Sequence, residues 1–359
     1  ENLIYSIKYL FYLFCGISLV AIIVSHNSSL KSFEKLFKPL SLLLLIELII
    51  GIIESLTSFQ MPISRYSSLS PLFGKELQAI NQSDFLLGII SSPPTGFHWD
   101  TNEFAITMML IVPFFLCLNN VSIKTLGTIA VTFLIIMSSS RAVFFGLISI
   151  GFLYFVFIKK NIKSLFLIIS FILFASFAMV VLLDSRNPNL NEIANTLNTA
   201  FLYLSGDIDI AGSLKWRREL LDNGINALIN TNGLGVAAGG SVHIQEELGG
   251  VDGRFTSMHN FWAEVLVEGG IIFFISFIFW LTFIIIKLLK ISRLTKDKKI
   301  KYYSSSLFLA ISGFIPAAIS SSSTIYYFPM WILFGLCLSI IKISNESGLK
   351  IINKPLNHS

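Results

Sequence analysis

Histidine, carboxylate and glycine gather where a long polar stretch of this sequence gives way to an apolar one: Ser257-Met-His259-Asn260-Phe-Trp262-Ala-Glu264-Val-Leu-Val-Glu268-Gly269-Gly270. A neutral imidazole at such a mouth can take a proton near pH 7, the work of a general base. A histidine satisfied by a neighbouring carbonyl or by Glu264 is the equal alternative. Helical spacing puts His259, Trp262 and Leu266 on one face, and Gly269 and Gly270 allow a bend or a close helix approach. Arginine is the second signal. Five of the seven arginines (Arg65, Arg186, Arg217, Arg218, Arg254) lie in two long polar stretches and a sixth, Arg141, at a short polar junction on the same side of the membrane, whereas lysine dominates on the other. A guanidinium presents a planar fork that grips phosphate in two places, so these residues point to an anionic, phosphate-bearing ligand. Pairing with carboxylates on the same side is the alternative, and Arg141, behind Ser138-Ser139-Ser140, could simply snorkel to an interface.

Two further segments compete. The run Gly233-Leu-Gly235-Val-Ala-Ala-Gly-Gly240 could bring backbone N–H groups to a phosphate, though a flexible turn is the plainer reading. His243, between it and Glu246-Glu247, reads as solvated loop. Pro93-Pro94-Thr-Gly-Phe-His98-Trp99-Asp100-Thr-Asn102-Glu103 combines turn formers with a histidine and carboxylates. Two metal ligands without a third are weak evidence for a metal, so His98 is expected to bind or shape. No metal-ligand cluster is visible.

The elements that must hold these residues are membrane helices. Of 359 residues 54% are hydrophobic and 13% charged, with 33 phenylalanines, against about 25% charge in a soluble domain. Runs near the roughly 20 residues needed to span a bilayer fall at 3–25, 39–56, 103–119, 121–138, 142–158, 164–183, 260–286, 303–320 and 325–341. The first reads as a span rather than a signal peptide; residue 1 is Glu, which points to a trimmed start, and because nine spans with an inside C-terminus leave residue 1 outside, one or more further helices are expected before it. Cys15, Cys117 and Cys337 each lie inside an apolar run, which argues against a disulfide framework. One set of alternate connections carries 17 of the 26 basic residues, among them Lys31, Lys35, Lys38, Lys124, Lys159, Lys160 and the cluster from Lys287 to Lys301. By the positive-inside rule that face is cytoplasmic. The expectation is therefore an all-α, polytopic transmembrane helical bundle of about nine spans, one integral membrane domain over 1–359. Its extracytoplasmic loops are 57–102 and 184–259, the larger carrying part of the site. Within that loop Leu190, Ile193, Leu197, Phe201 and Leu204 predict one amphipathic helix, and Trp216, Leu220, Ile225 and Leu228 a second.

Taken in order, these segments resemble the bacterial O-antigen ligase and polymerase superfamily, which includes capsule and teichuronic-acid polymerases. His259-Asn260, nine residues and Gly270 are similar to its signature at the mouth of a late helix. Arg217 followed by Gly235-Val236 is similar to its arginine–helix–glycine-turn segment, and Ser140-Arg141 opening an apolar helix to another recurring element. Thr95-Gly96-Phe97 with Asn102, Phe104 and Ala105 resembles the segment that opens its middle helix. The chain departs from the pattern at Ala237, where a second glycine is usual, at Leu221, where tryptophan is common, and at Phe273, where a small or polar residue is frequent.

The resemblance implies a GT-C-like glycosyltransferase of the bacterial inner (plasma) membrane with its active site facing the periplasm or cell exterior. The donor would be a glycan on undecaprenyl diphosphate and the acceptor another glycan, with lipid bilayer around the bundle, a chain-length regulator and a flippase as partners, and no nucleic acid. It implies His259 as catalytic base and Arg141 and Arg217 as diphosphate-binding residues, supported by Arg218, Asn260, Glu264, His98, Asn102 and Gly235, with inversion at the anomeric carbon and neither metal nor other cofactor. Polymerase is the preferred activity, on the ground that such genes are the more numerous, and a ligase attaching finished O-antigen to lipid A-core or protein is the alternative. From another class, a lipid-glycan flippase or transporter would keep ionisable groups near the midplane. Here Glu47 and Lys8 are the only such residues, and polar groups crowd the outer surface instead.

Overall fold

The computed structural model describes residues 2–57, 59–73, 77, 93–138, 140–160, 213–250, 256–321 and 325–346. Among them the chain is all-helical. The helices are α1 (Asn2–His26), α2 (Leu30–Leu56), α3 (Thr101–Leu116), α4 (Val121–Met137), α5 (Arg141–Leu153, continued by a π turn over Tyr154–Lys159), α6 (Ser213–Asn230), α7 (Gly240–Glu247), α8 (Phe261–Leu294), α9 (Lys298–Ala317) and α10 (Phe328–Glu346). Helices occupy eight of the nine places where spans are expected, and the second amphipathic helix appears as α6. The expected span at 164–183 and the amphipathic helix at 190–204 lie outside the described residues, as do Arg186 and Arg254.

Five helices are long and apolar enough to cross a membrane (6–26, 30–56, 142–159, 261–294 and 328–346), and α3 and α4 are shorter apolar helices. Large side chains such as Phe14, Leu126, Ile272 and Phe279 stand more than two-thirds exposed on the perimeter, a surface that belongs in hydrocarbon rather than water. The protein is a polytopic helical membrane protein. Helix α9, expected as a span at 303–320, is the polar exception. It carries Ser304, Ser305 and Ser306, all buried, because its neighbours are α3, α5, α8 and α10 rather than lipid. Ser306 Oγ donates to Pro113 O at 3.3 Å and Tyr302 Oη to Phe114 O at 3.1 Å, tying α9 to the last turn of α3, where Pro113 O also accepts from Cys117 N at 3.0 Å. Where α9 meets α5, a Cβ on Gly146 would lie 2.8 Å from Gly313 O; small residues allow this backbone-level contact.

Helix α2 begins at Leu30, not near 39. Ser29 and Ser32 form a reciprocal capping box ahead of Pro39, so the lysine-bearing first turns are helical and the proline is tolerated inside.

The bundle has two chemically distinct ends. At one, Lys299 pairs with Glu34 at 2.8 Å, Lys342 Nζ donates to Val24 O at 3.2 Å and Lys124 Nζ to Tyr154 Oη at 2.5 Å. At the other are the C-terminus of α2, the N-termini of α3, α5, α8 and α10, and helices α6 and α7. The candidate residues are all at this second end.

Candidate active site

Helix α8 is the spine of the site. Asn260 caps it, its Oδ1 accepting from Trp262 N at 3.1 Å and Ala263 N at 3.3 Å. One residue earlier, Met258 is 2% exposed and plugs a cluster with Ala263, Val267 and Leu221. His259 is thus pinned between a buried anchor and a helix cap, and it takes φ +49°, a left-handed conformation uncommon outside glycine and often tied to function. Trp262 Nε1 donates to Ile315 O at 2.8 Å, fastening this mouth to the end of α9.

Two turns on, α8 breaks at Gly270 (φ +77°, ψ 173°), and the glycine-rich segment covers the break. Val236 N donates to Val267 O at 2.9 Å, Ala237 N to Glu268 O at 3.1 Å and Ile271 N to Gly233 O at 3.0 Å. The groups freed by the interruption are therefore satisfied by backbone. The two glycines face one another: a Cβ on Gly270 would lie 2.4 Å from Leu234 O, and one on Gly235 would lie 2.6 Å from Glu268 O. The segment is thus neither a flexible turn nor a phosphate cradle at Val236 and Ala237, whose N–H groups are committed to α8. Ala237 itself sits at φ +68°, which accounts for a glycine being usual there. Gly270→Ala meets backbone at sub-contact distance and takes a disfavoured φ; it is expected to cost roughly 2–5 kcal/mol, seen as a lowered Tm in detergent or loss of folded protein.

Helices α6 and α7 are tied into the same assembly. Glu268 accepts from Ser241 Oγ at 2.6 Å and from the Gly239 and Ser241 amides, holding the start of α7. Gln245 reaches back from α7 to Leu220 O and Asn223 on α6, both at 2.9 Å. His243 is not in a loop: it lies on α7, 3.0 Å from Glu247. Leu220 and Leu228 are buried, and Gly224 lets α6 approach Met258 and Val267. This places Arg217 toward the histidine. Arg218, one residue on, turns outward, its side chain 57% exposed and 3.9 Å from Asp222.

The far wall comes from the first loop. Glu54, fully buried near the end of α2, accepts from Met61 N (2.9 Å), Thr95 N (2.8 Å) and Gly96 N (2.7 Å), stapling both ends of the loop to one carboxylate. Asp100 caps α3, its Oδ1 accepting from Asn102 N at 2.6 Å, while its Oδ2 pairs with Arg65. His98 Nε2 lies 3.0 Å from Glu47 and 2.9 Å from Thr107 Oγ1, which is 2.5 Å from Tyr327 Oη. His98 and Glu47 thus lock the loop to α2, α3 and α10. The one carboxylate expected deep in a span is engaged in this shaping network.

These walls converge electrostatically on His259. Burial first, then the positive field of Arg217, and more weakly that of Arg65, push its pKa down to about 4, against the opposing pull of Asp100. Glu264 is 1% exposed and acts on Tyr9 and Tyr326. His259 and Arg217, 42 positions apart, share one neighbourhood. Residue 141 opens α5 at the same end, with its side chain outside the described atoms. Arg65 and Asp100 complete the surroundings. Sequence reading had counted Arg65 only as one of six arginines, because its place depends on the staple at Glu54. Among the described residues no three His, Cys, Asp or Glu side chains come together as a metal site.

The site can take a proton at His259 and meet negative charge at Arg217. No curated protein matches the chain. Residues 126–278, from α4 through the break in α8, match the family model described as O-antigen ligase. That span, which holds His259, Arg217, Gly235 and Gly270, is where the chain is similar to the O-antigen ligase family.

Proposed function

We propose that the protein is an inverting, metal-independent glycosyltransferase that joins oligosaccharide repeat units carried on undecaprenyl diphosphate into a surface polysaccharide. One observation carries the reading: a partly buried histidine at the mouth of a membrane helix lies in the fields of Arg217 and Arg65. His259 takes the proton of an acceptor hydroxyl, the oxygen attacks the donor's anomeric carbon, and the bond from that carbon to the diphosphate breaks. Arg217 and Arg141 meet the charge that grows on the leaving diphosphate, the service a metal ion renders in other phosphate chemistry. A single displacement inverts the anomeric centre. The distribution of lysine assigns the opposite end to the cytoplasm, so this end faces the periplasm or cell exterior of the inner membrane.

A ligase reading is favoured by the description of the matching family. It shares the donor and leaving group, so the same residues serve it; the acceptor alone differs. Purified protein in nanodiscs, incubated with a carrier-linked repeat unit, is expected to give dimers and longer chains with release of undecaprenyl diphosphate. Transfer only to lipid A-core or protein acceptors would establish the ligase instead. Substrate movement across liposomes with no new glycosidic bond would overturn both.

A further inference from the structure

Arg65 has features that a purely structural ion pair does not explain. Its backbone N–H donates to Trp99 O at 3.2 Å and its guanidinium pairs with Asp100, which fixes it against the wall that carries α3. Its Nε is nevertheless buried and makes no hydrogen bond among the described residues. A guanidinium offers five N–H donors, and burying one unmatched is costly, so this edge of the fork suits an anionic oxygen. The charge of the same guanidinium is felt at His259 together with that of Arg217, so two cations from separate walls, the first loop and α6, lie within electrostatic range of one imidazole. Asp100 divides its work: Oδ1 holds the helix cap, and only Oδ2 holds the arginine. The ion pair can therefore open without undoing the start of α3.

We propose that Arg65 is a further diphosphate-binding residue of this site, and that Asp100 is the counterion from which the donor's phosphates draw it. The inference rests on the reading of the donor as a lipid diphosphate and deepens it. On binding, the phosphate oxygens take the Nε edge and compete with Asp100 for the rest of the fork. The diphosphate is then gripped from the first loop as well as from α6.

Binding of a short-chain polyprenyl diphosphate to the full chain in nanodiscs tests this, with the uncharged polyprenol as reference. Arg65→Ala is expected to weaken diphosphate binding by about 10- to 100-fold, the worth of a charge-assisted contact, and to leave polyprenol binding unchanged. Asp100→Asn separates this from mere disruption of the loop. Asparagine still caps α3 but releases Arg65, so the variant is expected to bind the diphosphate more tightly than the parent. Weaker binding in both variants would make the pair structural only and overturn the proposal, as would unchanged affinity in Arg65→Ala. Either result leaves the glycosyltransferase reading standing. A parent protein that binds no diphosphate overturns both.

Discussion

Replacing His259 by alanine is expected to lower glycan transfer by about 10²- to 10⁴-fold, the usual contribution of a positioned general base, with insertion and protein level unchanged. His259→Asn is the better-controlled variant, since asparagine tolerates the left-handed backbone found at φ +49° and isolates loss of the base from relaxation of the turn. The pH profile gives a second readout. In the free protein the imidazole is neutral, and able to accept a proton, above about 4, because burial and the fields of Arg217 and Arg65 outweigh Asp100. The acid limb of kcat/KM, which reports the free enzyme, is therefore expected near 4, below the ordinary histidine value of about 6.5. A bound diphosphate offsets both arginines and makes the imidazole more basic. The limb of kcat should accordingly lie at higher pH than that of kcat/KM. Limbs that coincide near the ordinary value would remove the arginines from the surroundings of His259.

Arg217→Ala is expected to reduce kcat by about 10²- to 10³-fold, the cost of removing one preorganised group that stabilises developing negative charge. Arg217→Lys keeps the charge but not the planar fork and should recover only part of the loss. The adjacent arginine supplies an internal control. Arg218 points outward beside Asp222, its side chain 57% exposed, and exposed pairs of this kind are worth about 0–1 kcal/mol. Arg218→Ala is expected to transfer glycan at close to the parental rate. Equal losses at 217 and 218 would show that general positive charge on α6, rather than a placed guanidinium, is what the reaction uses.

Why Arg217 and Arg218 differ was beyond sequence reading, which had both as candidates. Residues 217 and 218 are about 100° apart around α6. Which of them faces His259 depends on Leu220, Gly224 and Leu228 packing inward and on Gln245 tying α6 to α7. The glycine segment is a similar case. Its composition permits a turn, a cradle or a close approach, and only the break at Gly270 selects the last, because broken helical groups must find partners when buried.

Local composition and periodicity were enough for the membrane class, eight of the described helices to within a few residues at most ends, the two chemically distinct ends, and His259 at the mouth of a late helix. Apolar runs, caps and the lysine bias act over neighbouring residues, so they are legible without coordinates. Which distant groups meet is visible only in the packed bundle. Arg65 comes within electrostatic range of His259 because Glu54, fully buried, pulls Met61 and the Thr95-Gly96 backbone onto one carboxylate, and this sets Arg65 against Asp100. Glu47 anchors the first loop because His98, 51 positions away, folds onto it. Such pairings join residues whose separation along the chain carries no period, and their energies appear only once the helices have packed.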